Sequence, residues 1–270
     1  MKLLFLDLDG TLLNDDKEIN KEDMQAIEDM LAAGHKVIIN TGRPLFSVMV
    51  LAEKFGFLRE GFYISAFNGG LVYDPVKKER LKFDCLPEEV VRYMFDEAYD
   101  MGLHAHTYID DHVVSERDTE ELAFYTKRIH MPPLVVDDFS EHTKGFPPKV
   151  IIISLEGKDK LEAYRDRLDE YTNEKGLYCT FSDVRLLEYA NPLANKGDAI
   201  RFMCRHLGVD IEDTVAAGDE ENDLPMIEAA GVGVCMNNGV EILKGAADYV
   251  TEHTNNQGGI KEIIEKFILV

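Results

Sequence analysis

Tryptophan is absent and cysteine is scarce: Cys85, Cys179, Cys204 and Cys235 lie far apart and never form C-x-x-C. That spacing signals neither a zinc site nor a redox pair, and it suits small buried hydrophobes in a reducing compartment. Positive charge is short as well. Against 51 acidic residues stand 29 basic ones, a formal net charge of −22. Nucleic acid and anionic membrane surfaces need a basic face to displace counterions, so neither is expected as a partner. An acidic chain that binds an anion must do so with a few local cations. No apolar run reaches membrane-spanning length, and the chain opens on a strand pattern instead of a charged segment, an apolar run and a small-residue cleavage site. A cytoplasmic protein is therefore expected. GVGVCMNNG, residues 231–239, lacks the G-x-G-x-x-G spacing of a dinucleotide loop and reads as strand plus turn. No internal repeat or low-complexity tract occurs.

What is present is core-forming material. The chain has 270 residues, 45% of them hydrophobic, enough for one large domain or two modest ones. Strand and helix patterns alternate from the start. LLFLDL is followed by a helix from about Asn20 to Ala33, with Asn20 as N-cap and Gly34 as stop. KVIIN comes next, then a helix opened by Pro44 and closed near Gly56, then FYIS. The alternation returns late, with a helix after Lys196, TVAAGD, a helix from about Asp223, GVGVCM and a final helix after Gly258. Continuous apolar strands alternating with helices predict an α/β domain with a parallel sheet covered on both faces.

The middle reads differently. Helices are predicted over PEEVVRYMFDEAYDMG and after Gly157, and two pairs of strands are each joined by a very short turn: LHAHTYID with HVVSE, and LYCTFSD with VRLLEYA. Residues 139–149 are the most loop-like part. Hairpins imply antiparallel pairing, so residues 83–188 are expected to form a separate α+β module inserted into a core made of 1–82 and 189–270.

The chemistry collects at strand ends, where open parallel sheets bind ligands. Asp7 and Asp9 stand two residues apart at the mouth of the first strand, and such carboxylates repel unless a cation or a shared proton relieves them. NTGRP places Thr41, Gly42 and Arg43 past the second strand, and GDEEND places Asp219, Asn222 and Asp223 past a later one. LANKGDAI sets Lys196 at a helix start, where its charge and the free amides face an anion together. Carboxylates suit an oxygen-preferring ion such as Mg2+, while a hydroxyl, a lysine and amides suit a phosphoryl group.

In order, DLDGT, NTGR, NKG and GDEEND resemble the motifs of the haloacid dehalogenase superfamily. The match is to the Cof-type phosphohydrolases, whose large α/β cap lies between the second and third motifs, and it extends over essentially the whole chain, including SAFNGG and AADYVTEHTNNQGGI. The resemblance implies a Rossmann-like core and a Mg2+-dependent phosphatase of small phosphorylated metabolites, with sugar phosphates foremost. It implies Asp7 as nucleophile, forming an aspartyl phosphate, and Asp9 as general acid and base. Thr41, Gly42, Arg43, Lys196 and Asn222 would hold the phosphate. Asp7, the main-chain carbonyl of Asp9, and Asp219 would hold the metal, supported by Asp223. Asp9 favours the phosphatase and phosphomutase branches, since the dehalogenases and ion-pumping ATPases lack an aspartate two positions after the nucleophile. One departure is Leu193, where the family usually shows a glycine.

Several readings stay open from the sequence. Arg43 suits either a surface position at a helix start or a phosphate contact. If LHAHTYID is a strand, His104, His106 and Tyr108 share one face. That face belongs to solvent, looks toward the active site and helps select the leaving group, or offers an H-x-H metal pair. A phosphomutase and a non-catalytic phosphosugar-binding protein are the rival functions. Oligomeric state is not legible.

Overall fold

The computed structural model describes residues 1–269. The chain first forms β1 (Leu3–Leu6), β2 (Lys36–Asn40), β3 (Phe62–Ala66), β4 (Leu71–Asp74) and β5 (Glu79–Phe83). Next come β6 (His104–Tyr108), β7 (Val113–Ser115), β8 (Pro133–Val135), β9 (Lys149–Ile153), β10 (Tyr178–Asp183) and β11 (Leu186–Ala190). The last three are β12 (Thr214–Gly218), β13 (Val232–Cys235) and β14 (Tyr249–Val250). The chain divides into two compact units, one of residues 1–82 with 195 onward, the other of 83–194. The boundary expected at 189 falls inside β11, which pairs with both β9 and β10. The second unit therefore keeps the whole strand and the turn after it.

The first unit is an α/β layer structure around a sheet ordered β14-β13-β12-β1-β2-β3-β4-β5. Strands β14 to β3 are parallel, and β4 turns back antiparallel on β3. β1 is Leu-Leu-Phe-Leu with every side chain fully buried, and burial of each such residue is worth roughly 1.5–3 kcal/mol. A carboxylate inside that stretch would forfeit this gain, so acids begin only at residue 7. Early strands lie on one side of β1 and late strands on the other. The order therefore reverses at β1, between β1 and β12, the kind of switch point at whose carboxyl ends open α/β sheets bind ligands. Helix Lys21–Ala32 follows its N-cap Asn20, and helix Leu45–Phe55 ends on left-handed Gly56. β4 and β5 were not legible: they follow SAFNGG directly, and β5 (ERLKF) is largely polar.

The second unit has a sheet ordered β10-β11-β9-β6-β7-β8. Both expected hairpins form, β6 with β7 and β10 with β11, each antiparallel. One sheet face packs under helices Glu88–Asp100 and Lys158–Glu174, with Val90, Met94 and Ala98 meeting Leu103, Ala105 and Ile152 in one apolar cluster.

The opposite face corrects the sequence reading. His104, His106 and Tyr108 do alternate away from that cluster, but their relative exposures are only 2%, 0% and 1%. Helix Glu120–Ile129, not anticipated from the sequence, covers them: the Tyr125 ring lies 4.4 Å from that of His106, and the Tyr125 and Tyr108 hydroxyls are hydrogen-bonded. His104 Nδ1 pairs with Thr119 Oγ1 at 2.9 Å, and its Nε2 with His106 Nδ1 at 3.2 Å. These residues are part of the unit's interior, on neither a solvent face nor a free ligand-facing one, and they form no metal cluster among the described residues.

Burial, with the Arg117 charge, pushes His104 down to about 3, and burial pushes His106 well below its ordinary value. Folded imidazoles then stay neutral while unfolded ones, titrating near 6.5, take up protons. Stability is full above about pH 6.5 and falls as pH drops, by about 1.4 kcal/mol per pH unit for each imidazole. The urea midpoint should decline between pH 7 and 5, and His104→Gln with His106→Gln should flatten that decline. Equal slopes in parent and double variant would refute it.

Candidate active site

The loops at the carboxyl edge of the first unit's sheet assemble the site. The Asp7 amide continues the β1–β12 ladder by donating to the Ala217 carbonyl at 3.1 Å, which sets Asp7 beside the start of the loop carrying Asp219. Gly10, between them, has φ +83°, and a Cβ on it would stand 2.1 Å from Asp219 Oδ2. Only glycine lets the two loops approach this closely.

Lys196 begins the helix Lys196–Leu207, whose N-cap Asn195 accepts from the Asp198 amide at 2.9 Å. The lysine is fully buried, and its Nζ donates to Asp7 Oδ1 at 2.6 Å and to Asp223 Oδ1 at 2.5 Å. Asp223 Oδ2 accepts from the amides of Asp219 and Glu220 at 2.9 and 3.0 Å. Both Asp223 oxygens are thus committed, one to the lysine and one to the backbone that carries Asp219. Thr11 Oγ1 donates to Asp219 Oδ1 at 2.7 Å.

These contacts fix the charges. Burial, partly offset by Lys196 and reinforced by Asp223, pushes the Asp7 carboxyl up to about 7. Burial and the Asp7 charge bring Asp219 up to about 7 as well. Burial would lower Lys196, but Asp223 and Asp7 outweigh it and raise its pKa. One ammonium is therefore too little positive charge for the acids around it. Ligand atoms of Asp7, Asp219 and Asp223 lie within 4.8 Å of one another. All are hard carboxylate oxygens, with no imidazole or thiol in the group, a donor set that fits Mg2+.

The remaining residues line the same edge. Thr41 follows β2, is 2% exposed, and its Oγ1 accepts from the Arg43 amide at 3.3 Å. Gly42 lies against Asn68, whose Oδ1 would be 2.9 Å from a Cβ there and accepts from Asn222 Nδ2 at 3.2 Å. Arg43 is partly buried and turns toward Asp9. Its Nε and Nη2 fork the Asp9 carboxylate at 2.6 and 2.7 Å. Burial would raise Asp9, but Arg43 and Lys17 outweigh it and hold the carboxyl down at about 2.

Several participants escaped the sequence reading. Asn40, buried at the end of β2, donates to the Lys196 carbonyl at 3.0 Å and accepts from Ser65 Oγ at 2.7 Å, locking the lysine's backbone. Asn68 has left-handed backbone, φ 55°, and its amide donates to the Thr41 carbonyl at 2.9 Å. The signal for both was polar residues ending apolar strands. Leu193 stays outside the left-handed region and is 54% exposed, its amide donating to Asn191 Oδ1 at 3.0 Å, so the turn has no need of glycine.

A family model described as haloacid dehalogenase-like hydrolase matches residues 4–264. A 5-amino-6-(5-phospho-D-ribitylamino)uracil phosphatase of Bacillus subtilis is 29% identical over 269 residues, covering 98% of this chain and 97% of its own. Among solved structures, a haloacid dehalogenase-like hydrolase from Bacteroides thetaiotaomicron matches with a TM-score of 0.88 at 30% identity, covering 98% of both chains. A protein from Thermotoga maritima matches with a TM-score of 0.86 at 33% identity, covering 98% of this chain and 97% of that one.

Proposed function

The chain belongs to the haloacid dehalogenase-like hydrolases and is a phosphoric monoester hydrolase, and from that premise we propose that it is a Mg2+-dependent phosphatase of sugar or polyol phosphates, working through an aspartyl phosphate on Asp7. The observation that carries this reading is Asp7 itself. It is a buried carboxylate, oriented by Lys196 and grouped with Asp219 and Asp223 at the strand-order reversal.

An Asp7 oxygen attacks phosphorus as the bond to the leaving oxygen breaks, and the departing alkoxide takes a proton from Asp9, whose carboxyl can carry one once the phosphate has drawn the Arg43 fork off it. Water then attacks the phosphorus of the acyl phosphate, gives its proton back to Asp9, and releases inorganic phosphate. Thr41, the Gly42 amide, Arg43, Lys196 and Asn222 hold phosphate oxygens. Asp7, Asp219 and the Asp9 carbonyl hold Mg2+, which when bound offsets the repulsion between an anionic nucleophile and an anionic substrate. Asp223 supports this set by holding Lys196 and the Asp219 backbone. The polyol class is supported by the ribityl phosphate that the Bacillus subtilis relative's name specifies. Residues 83–194 are proposed as the unit that selects the leaving group.

Phosphate release from a panel of sugar and polyol phosphates, nucleotides, flavin mononucleotide and pyridoxal phosphate, with and without Mg2+, tests the reading. Preference for polyol esters is expected. Isomerised product without phosphate release would assign a mutase instead. Asp219→Ala should weaken the Mg2+ requirement and the rate together, and Ca2+ should inhibit by favouring a larger, less regular coordination shell. Activity unchanged by EDTA would sink the metal assignment.

A further inference from the structure

Lys17 lies outside every motif, yet its Nζ reaches Asp9 Oδ1 at 2.9 Å. Its backbone is left-handed, φ 60°, a region where glycine or asparagine is at ease and a lysine pays a steric cost. The turn that imposes this is tightly wired. Asn14 Oδ1 accepts from the amides of Asp16 and Glu18 at 3.0 and 2.9 Å, the Lys17 amide donates to the Asn14 carbonyl, and the Asn14 amide to the Glu18 carbonyl. An Asp9–Leu13 bridge ties this turn to the catalytic loop. A strained lysine on a rigid turn, aimed at a half-exposed carboxylate, needs a reason in the chemistry.

The arrangement around Asp9 supplies one. Arg43 occupies both Asp9 oxygens, and Lys17 shares Oδ1 with it. A phosphate entering beside Asp7 competes for the guanidinium, because a planar fork binds phosphate as well as carboxylate. Once the fork turns to the substrate, an Asp9 side chain held by nothing else is free to rotate away from the leaving oxygen. Losing about an ångström of alignment costs on the order of 10²-fold in rate.

We propose that Lys17 is a positioning residue that keeps the Asp9 carboxyl aimed at the leaving-group oxygen after substrate has drawn Arg43 away. The proposal rests on the proton-transfer role given to Asp9 above. Lys17 does not touch the transferred phosphoryl group, so its effect falls on esters whose departing oxygen needs a proton and spares those with an acidic leaving group.

The test compares kcat/KM, which reports all steps through departure of the leaving group, for a polyol phosphate and for p-nitrophenyl phosphate. Lys17→Met should lower the first roughly tenfold and the second less than threefold. Lys17→Arg should restore most of the loss. Lys17→Gly removes the ammonium and the backbone strain together, so it should show the same selective loss with a thermal midpoint equal to or above the parent's. In an Asp9→Asn background, Lys17→Met should cost nothing further. An equal fall on both esters, or the same tenfold fall in that background, overturns the role of Lys17 while leaving that of Asp9 intact. If Asp9→Asn alone affects both esters equally, the proton-transfer reading has failed instead.

Discussion

Asp7→Asn should leave almost no turnover on any ester, because deleting the nucleophile proposed above costs on the order of 10⁶-fold. The fold should not suffer. An asparagine Oδ1 still accepts from Lys196 Nζ, and the substitution removes a buried carboxylate whose carboxyl is pushed up to about 7 by burial. The thermal midpoint of the metal-free variant is therefore expected at or above the parent's. Asp9→Asn should behave differently, losing about 10²- to 10⁴-fold on a polyol phosphate and much less in kcat/KM on an activated aryl phosphate. Residual Asp7→Asn activity within tenfold of the parent, after contaminating phosphatases are excluded, would remove Asp7 from the reaction.

The parts of this site that could be read from the sequence are those that obey local rules. Asp7, Thr41 and Asp219 each stand just past an apolar run, and side chains just past parallel strands meet at one edge. Lys196 was marked by the helix that it starts. What could not be read depends on pairing across distance. The contacts of Asn40 with the Lys196 carbonyl and of Lys17 with Asp9 span 156 and 8 residues, and neither residue type announces its partner. Arg43 was placed correctly at the edge, but its fork on Asp9 is a contest between carboxylate and phosphate that only the assembled charges decide.

The second unit shows where a local rule was under-used. Period-two alternation put His104, His106 and Tyr108 on one face, and that face is theirs. The face is closed by a helix. Thr119 followed by two glutamates, then Leu122 and Tyr125 at helical spacing, is a capped amphipathic helix, and Thr119 Oγ1 does accept from the Leu122 amide at 3.2 Å. β9 was overlooked for a related reason. Its KVIII run follows two prolines at the end of the loop-like stretch 139–149, and no strand is read there, although β9 is the strand that β6 and β11 both pair with. A missing central strand and a missing helix together turned an interior into an apparent binding face.

This acidic site carries a cation in its own chain. Lys196 is fully buried, with Asp7 at 2.6 Å and Asp223 at 2.5 Å, and its carbonyl is tied to Asn40. Lys196→Met keeps most of the side-chain volume and removes the charge, leaving both carboxylates buried with no counter-ion. Breaking a buried pair in this way typically costs about 3–5 kcal/mol, and the phosphate contact proposed for Lys196 goes with it. The loss should be smallest where a divalent ion can replace the missing charge. Because Asp7, Asp219 and Asp223 lie within 4.8 Å of one another, removing the ammonium leaves a more negative cluster with higher affinity for Mg2+. Millimolar Mg2+ should therefore raise the thermal midpoint of Lys196→Met by more than it raises that of the parent, while catalysis should stay low because the metal does not restore the proposed phosphate contact. A smaller Mg2+-induced rise in the variant than in the parent would mean that the three acids do not act as one cation-binding group.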